Sequence, residues 1–377
     1  METTAQTFMR MAIEAAANVY TTAPNPRVGC VIERDSKVVG TGWHKRFGEP
    51  HAEVNALAEA GEKAKGATAY VSLEPCCHFG RTPPCTQALI DAGITEVVFA
   101  MHDPNPLVAG KGVQTLMDAG IKVSGPLLED EARALNPGFI KRMTEGLPYV
   151  RCKMAMSLDG RTAMASGESQ WITGPAARAD VQRLRAQSCA IVTGVNTVLG
   201  DDPSLNLRVD ELPEDARDKV PNRQPKRVVI DSSLRTPPES KILTLPGEVI
   251  FLVGAPHPQQ FERFAHLRSS GTLDIHELPT VAGGRVDLRA AMSALAQQYN
   301  CNEVMIEAGP TLSGAMVQAG LVDEVIIYIG AKFLGSDALP LFKLPGLSHM
   351  SDHIGLEIVD VTAIEQDCRI TARIINK

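Results

Sequence analysis

His51-Ala52-Glu53, followed by Pro75-Cys76 and then Cys85, places one imidazole, two thiols and one carboxylate in a short stretch of chain. Imidazole and thiolate are ligands that zinc favours, and three protein ligands leave a fourth coordination position for water. Zinc brings the pKa of such a water toward neutrality and makes it a nucleophile. Glu53 is not needed as a ligand and stands where it can move protons. The chemistry indicated is metal-assisted hydrolysis. The competing reading is a structural zinc site closed by a fourth protein ligand, with Cys77 or His78 in that place. In such a closed shell Glu53 would have no purpose.

These groups need elements to bring them together. Phe8, Met11, Ala12, Ala15, Ala16 and Val19 have helical spacing and predict a helix over 5–20. The turn-rich run 22–27 leads to a hairpin of strands 28–31 and 38–42. A helix over 51–60 starts after Pro50, and a second over 85–92 follows prolines and ends at Gly93. His51 and Glu53 then share a first turn, and two helix N-termini face one metal, where their dipoles favour thiolate or hydroxide. Strands 69–73, 96–100 and 122–123 with a helix over 113–119 complete a layered α/β domain. Breaker signals Asn136-Pro137-Gly138 and Gly146-Leu147-Pro148 put a boundary near residue 145, giving domains 1–145 and 146–377. Beyond it, strands are predicted over 149–156, 190–193, 227–231, 249–253, 273–277, 303–306 and 325–329. Helices are predicted over 175–187, 258–269, 288–299 and 311–319, and an antiparallel pair over 356–361 and 368–375 closes the chain. Residues 210–225 read as the most polar, loop-like stretch.

A length of 377 residues suits two cores rather than one. A hydrophobic share of 44% with 21% charged residues reads as soluble and globular. No apolar run approaches the ~18 residues of a membrane helix. The N-terminus lacks a basic segment before an apolar block, so no secretory signal is visible and a cytoplasmic location is expected. The eight cysteines are then reduced thiols, which suits zinc binding. The net charge is −7, with no basic excess in either half, which argues against nucleic acid and for a small-molecule substrate.

The second half offers two further signals. Residues 306–314, IEAGPTLSG, follow a strand and open a helix, where backbone amides can approach an anion. Lys153 lies on a strand that runs into a tight turn at Asp159-Gly160. Each signal alone is also met in ordinary turns.

The runs TAPNPRVGCV (22–31), GEPHAEV (48–54) and SLEPCCHFGRTPPC (72–85) resemble the pyrimidine deaminase of riboflavin biosynthesis. Zinc nucleobase deaminases share H-x-E…P-C-x-x-C. Here eight residues separate the two cysteines, an interval expected in the riboflavin family. Segments 153–162, 169–174, 194–208 and 307–314 resemble the reductase half of the same bifunctional riboflavin deaminase/reductase family. The resemblance implies a cytidine-deaminase-like layered α/β domain followed by a dihydrofolate-reductase-like α/β domain that uses NADPH. It implies His51, Cys76 and Cys85 as ligands of Zn2+, Glu53 as proton shuttle and Asn25 against the pyrimidine. His44, His78 and Arg81 could meet the ribose phosphate. Cofactor contacts fall on Ala155, Trp171, Thr197, Asp201, Ser232, Gly309, Pro310, Thr311, Leu312, Ser313, Gly314 and Ala315. Substrate contacts fall on Ser169, Arg185, Leu205, Arg208 and Glu307. Arg185 and Arg208 suit a phosphate because guanidinium forks match its oxygens. Lys153 and Glu307 are placed nearest the reacting sugar carbon, with Lys153 catalytic.

The implied function is bifunctional. Zinc hydroxide deaminates 2,5-diamino-6-(5-phosphoribosylamino)pyrimidin-4-one, and NADPH then reduces the ribosyl group to ribityl. A homo-oligomer is expected. The alternatives are a nucleotide or RNA deaminase with an appended nucleotide-binding domain, and a non-catalytic zinc-stabilised scaffold. The acidic balance speaks against RNA, and Glu53 speaks against the scaffold.

Overall fold

The computed structural model describes residues 3–77, 83–106, 108–220 and 223–375. His78 and Arg81 lie outside the described residues. The chain forms two compact units, Met1–Gly146 with Asp218–Pro221, and Leu147–Arg217 with Asn222–Lys377.

The first unit opens with a helix, Thr4–Ala16, because Thr3 and Gln6 form a capping box. It ends at Ala16, earlier than the predicted residue 20, and buries Phe8, Met9, Ala12 and Ile13. A five-stranded sheet runs in the order Lys37–Trp43, Gly29–Arg34, Thr68–Val71, Glu96–Phe99 and Lys122–Ser124. The first two pairings are antiparallel and the last two parallel. Helix Ala52–Ala60 turns its alanine face, Ala52, Ala56 and Ala60, onto this sheet. The approach is close: a Cβ at Gly42 would stand 2.3 Å from the Ala56 nitrogen. Glycine at 42 therefore sets the depth of the helix, and with it the place of His51 at its start.

Two helices, Glu129–Leu135 and Pro137–Glu145, occupy the stretch expected to break. Asn136 stands at the N-cap of the second and Pro137 at its first turn, where a missing N–H costs nothing. Gly146, with φ 69°, ends it.

The second unit carries a nine-stranded sheet. Its order is Leu273–Glu277, Val249–Val253, Lys226–Ile230, Ala190–Gly194, Glu303–Ile306, Tyr149–Ser157, Glu324–Gly330, Asp367–Ile375 and Gly355–Ile364. All pairings are parallel up to Glu324–Gly330, and the closing pair adds antiparallel strands. Val249–Val253 and Glu303–Ile306 are buried along their whole length, as strands covered on both faces must be. The helix predicted over 258–269 is two short helices, Pro258–Glu262 and Ala265–Ser269. Between them Phe264 turns into the core and meets Phe251 edge-on at 5.5 Å. A further helix, Val195–Asp201, follows directly on strand Ala190–Gly194 and was not predicted.

Candidate active sites

In the first unit, His51 is the N-cap of helix Ala52–Ala60 and Cys85 is the first residue of helix Cys85–Asp91. Cys76 arrives on the loop after strand Thr68–Val71. His51 Nδ1 lies 3.1 Å from Cys85 Sγ and 3.5 Å from Cys76 Sγ, and the two sulfurs are 3.3 Å apart. Zinc bond lengths put tetrahedral ligand atoms about 3.5–3.8 Å apart, so the three atoms fit one ion after a slight opening. Among the described residues this is the one cluster suited to a metal, and Cys77 is not part of it. The two thiols share a proton: Cys76 is lowered by its hydrogen bond with Cys85, and Cys85 is raised by the same bond. A dication displaces that remaining proton on binding. Elemental analysis should find about one zinc in Cys77→Ala and a large loss in Cys76→Ala and Cys85→Ala. Equal loss in all three would indicate a closed site.

Glu53 is 3% exposed and reaches Cys85. Burial, and then the Cys76 charge, raise its pKa to about 7, despite the opposing His51. It can therefore take and return a proton near neutral pH.

His44 is buried and its ring meets His51 edge-on, with centroids 5.1 Å apart. Its Nδ1 lies 3.1 Å from the Pro50 carbonyl and its Nε2 lies 3.1 Å from Asn25 Nδ2. Both nitrogens are engaged inside the unit, so His44 is not an open phosphate contact. Burial lowers its pKa and favours the neutral ring. Glu74 was not singled out in the sequence. Its buried carboxylate accepts from the backbone of Asp103, Gly110 and Val113 and from His102 Nδ1, at 3.1–3.3 Å. It ties the Cys76 loop to the loop ahead of helix Lys111–Asp118.

The second unit holds a cleft of about 1320 Å³. That exceeds a typical single-ligand pocket of about 300–1,000 Å³ and leaves room for two ligands. Its walls include Lys153, Ala155, Ser169, Trp171, Arg185, Thr197, Asp201, Leu205, Arg208, Ser232, Glu307, Gly309, Pro310, Thr311, Leu312 and Ala315. Ser313 and Gly314 do not line it. Ser313 is buried and donates to the Ala308 carbonyl. A Cβ on Gly314 would stand 2.1 Å from the Lys343 carbonyl oxygen, so glycine serves packing there. The amide of Gly309, which caps helix Pro310–Gln318, is given to Thr197 Oγ1 at 3.3 Å.

Glu307 is the electrostatic centre of the cleft. Arg185 grips it with Nε at 2.8 Å and Nη2 at 3.0 Å and gives Nη1 to the Asn206 carbonyl. Lys153 Nζ is 3.9 Å away. Burial raises Glu307, but Arg185 and Lys153 outweigh it and the net shift is downward. Burial lowers Lys153 more than Glu307 raises it. Arg185 thus holds a carboxylate, whereas Arg208 pairs with Glu211 at the rim. Trp171 is 62% exposed with the Arg178 guanidinium 4.4 Å over its ring. Arg235, Lys241 and Arg285 also line the cleft and were missed, because scattered surface cations carry no local pattern.

Two family models divide the chain as the two sites do. The cytidine and deoxycytidylate deaminase zinc-binding region matches residues 2–101, and the RibD C-terminal domain matches residues 148–370. The riboflavin biosynthesis protein RibD of Escherichia coli is 54% identical over 88% of this chain and 89% of its own. The chain belongs to the bifunctional riboflavin-biosynthesis deaminase/reductase family. Two solved structures agree with this over 99% of both chains. RibD of Acinetobacter baumannii has a TM-score of 0.88 at 46% identity. A diaminohydroxyphosphoribosylaminopyrimidine deaminase/5-amino-6-(5-phosphoribosylamino)uracil reductase of Thermotoga maritima has 0.81 at 30%. The cytidine-deaminase-like and reductase folds expected from the sequence are therefore both present, and the RNA-deaminase and scaffold readings are not favoured. No helix among the described residues is long and apolar enough to cross a membrane.

Proposed function

We propose that the first unit deaminates 2,5-diamino-6-(5-phosphoribosylamino)pyrimidin-4-one and that the second reduces the ribosyl group of the product with NADPH. The observation that carries this reading is the pairing of a three-ligand cluster and buried Glu53 in one unit with a cleft of about 1320 Å³ around Glu307 in the other. His51, Cys76 and Cys85 would hold zinc, which when bound acidifies a water. Asn25 orients the ring. Glu53 accepts one proton from water and passes it to the ring nitrogen, then carries the second proton from the added hydroxyl to the amine, which leaves as ammonia as that oxygen becomes the carbonyl.

In the second unit Ala155, Trp171, Thr197, Asp201, Ser232, Ala315 and the Gly309–Leu312 turn would hold NADPH, which supplies the hydride. Ser313 and Gly314 act behind that wall. Ser169, Leu205, Arg208 and Glu307 would hold the phosphoribosyl substrate, with Arg185 acting through Glu307. Lys153, whose lowered pKa eases proton release, would protonate the opened sugar. The net charge of −7 supports a small substrate rather than nucleic acid, and we place the protein in the cytoplasm. Leu356, Ile358, Val359 and Val361 are exposed on the edge strand Gly355–Ile364, which supports assembly with a second copy of this chain, and light scattering decides it. Incubation with the diaminopyrimidinone should give the deaminated ribosyl compound alone, and the ribityl compound once NADPH is added, by product mass. No ammonia release from zinc-loaded protein would overturn the deaminase reading.

A further inference from the structure

Residues 203–208 belong to no helix or strand, yet they carry Leu205 and Arg208 along the cleft wall. Three side chains hold their backbone instead. Arg185 Nη1 donates to the Asn206 carbonyl at 2.7 Å. Gln224 accepts from the Leu207 amide at 2.8 Å and donates to the Leu207 carbonyl at 3.0 Å, as a neighbouring strand would. Gln182, 1% exposed on helix Pro175–Gln187, accepts from the Arg208 amide through Oε1 at 3.0 Å.

The other end of the Gln182 side chain has a second partner. Its Nε2 donates to Glu211 Oε2 at 3.2 Å. Glu211 in turn accepts from Arg208 Nε and, at 3.0 Å, from Arg208 Nη2. A backbone N–H only donates and an ionised carboxylate only accepts, so the Gln182 amide can stand only one way round. The guanidinium is planar, and a carboxylate gripping its Nε–Nη2 edge fixes where the rest of the fork points. Arg208 Nη1 has no hydrogen-bond partner among the described residues. We propose that Gln182 is a positioning residue that, through Glu211, aims Arg208 at the substrate phosphate. One buried amide sets both the backbone from which Arg208 springs and the carboxylate that splints its guanidinium. The fork is thus ordered before substrate arrives, and less freedom is lost on binding. This inference rests on the reading of Arg208 as a phosphate contact.

The test uses the full-length protein, saturating NADPH and two substrates, the deaminated ribosyl compound with and without its 5-phosphate. Glu211→Ala removes an exposed partner and should raise the KM for the phosphorylated substrate about 3- to 10-fold, with kcat and the NADPH Kd little changed. Gln182→Met keeps the volume and removes both hydrogen bonds. It should raise the same KM by about 10-fold, short of the loss in Arg208→Ala. Gln182→Glu keeps the acceptor for the Arg208 amide but opposes Glu211 with a like charge, and takes the place of Gln182→Met if that variant does not fold. The dephosphorylated substrate should be reduced equally by wild type and every variant, which a merely loosened wall would not allow. In an Arg208→Ala background neither change should add a penalty, because the residues act as one unit. An unchanged KM for the phosphorylated substrate in Glu211→Ala would overturn the proposal, and a lower one would do so by showing that Glu211 competes for the cation. Equal penalties with and without the phosphate would also overturn it. Nitrogen-15 NMR of the ligand-free protein should find the Arg208 Nε–H protected from exchange in wild type and exchanging freely in Glu211→Ala. Free exchange in wild type would overturn the splint without reference to activity. If Arg208→Ala left the KM for the phosphorylated substrate unchanged while that Nε–H stayed protected, the phosphate reading of Arg208 would fail and the splint would stand.

Discussion

Glu53→Gln is expected to keep stoichiometric zinc and to lose ammonia release by a factor of about 10² to 10⁴. The substitution is nearly isosteric, and Glu53 is not one of the three atoms clustered for the metal. What it removes is the titrating oxygen. Burial pushes Glu53 above the usual carboxylate range, and a carboxyl can both accept and donate a proton, whereas an amide does neither. The same variant should reduce the pre-deaminated substrate at the wild-type rate, because the Glu307 cleft lies in the other unit. A zinc-replete variant with normal ammonia release would remove Glu53 from the mechanism. Loss of zinc along with activity would instead show that the carboxylate supports the cluster.

What could be read from the sequence was whatever depends on neighbours in the chain. The zinc cluster was legible because zinc accepts few ligand types and the flanking runs are distinctive. The parallel strands were legible because their buried runs, such as Val249–Val253, are continuous. Helix Pro137–Glu145 is not legible because Asn-Pro-Gly reads as a break, while the same residues serve as cap and first turn when a helix follows. The two-helix break at Phe264 depends on Phe251, on a different strand. Similarly, nothing near Arg185 in sequence says that Glu307, 122 positions away, will occupy its donors. The direction of Ser313 and Gly314 is set by Ala308 and Lys343, so a run that reads as one cofactor loop splits between cleft and packing. The double engagement of His44 required two partners from separate segments.

Arg185→Ala should destabilise the second unit by about 3–5 kcal/mol, where Arg208→Ala costs about 0–1 kcal/mol. Arg185 and Glu307 side chains are both 10% exposed, so removing the guanidinium takes away the direct hydrogen-bonded partner of a buried carboxylate and leaves Lys153 at 3.9 Å and the more distant Arg208. Arg208 and Glu211 are 40% and 43% exposed, and water replaces what that pair loses. The pH dependence carries a definite sign. In wild type the Glu307 pKa is depressed, so its contribution is present above the unfolded pKa and lost as pH falls through the folded one. Without Arg185, burial dominates and the carboxyl protonates earlier. The gap between variant and wild type, measured by urea unfolding, should therefore be widest near neutrality and narrow as pH falls toward about 4. Adding Glu307→Gln to Arg185→Met should restore most of the stability, because no unpaired charge remains, yet reduction should stay lost. Arg208→Ala should do the reverse, folding normally while raising the KM for reduction about 10- to 150-fold through one lost charge-assisted phosphate contact. If Arg185→Ala folded as stably as Arg208→Ala and raised the substrate KM in the same way, Arg185 would have to leave Glu307 and turn to the phosphate when substrate binds.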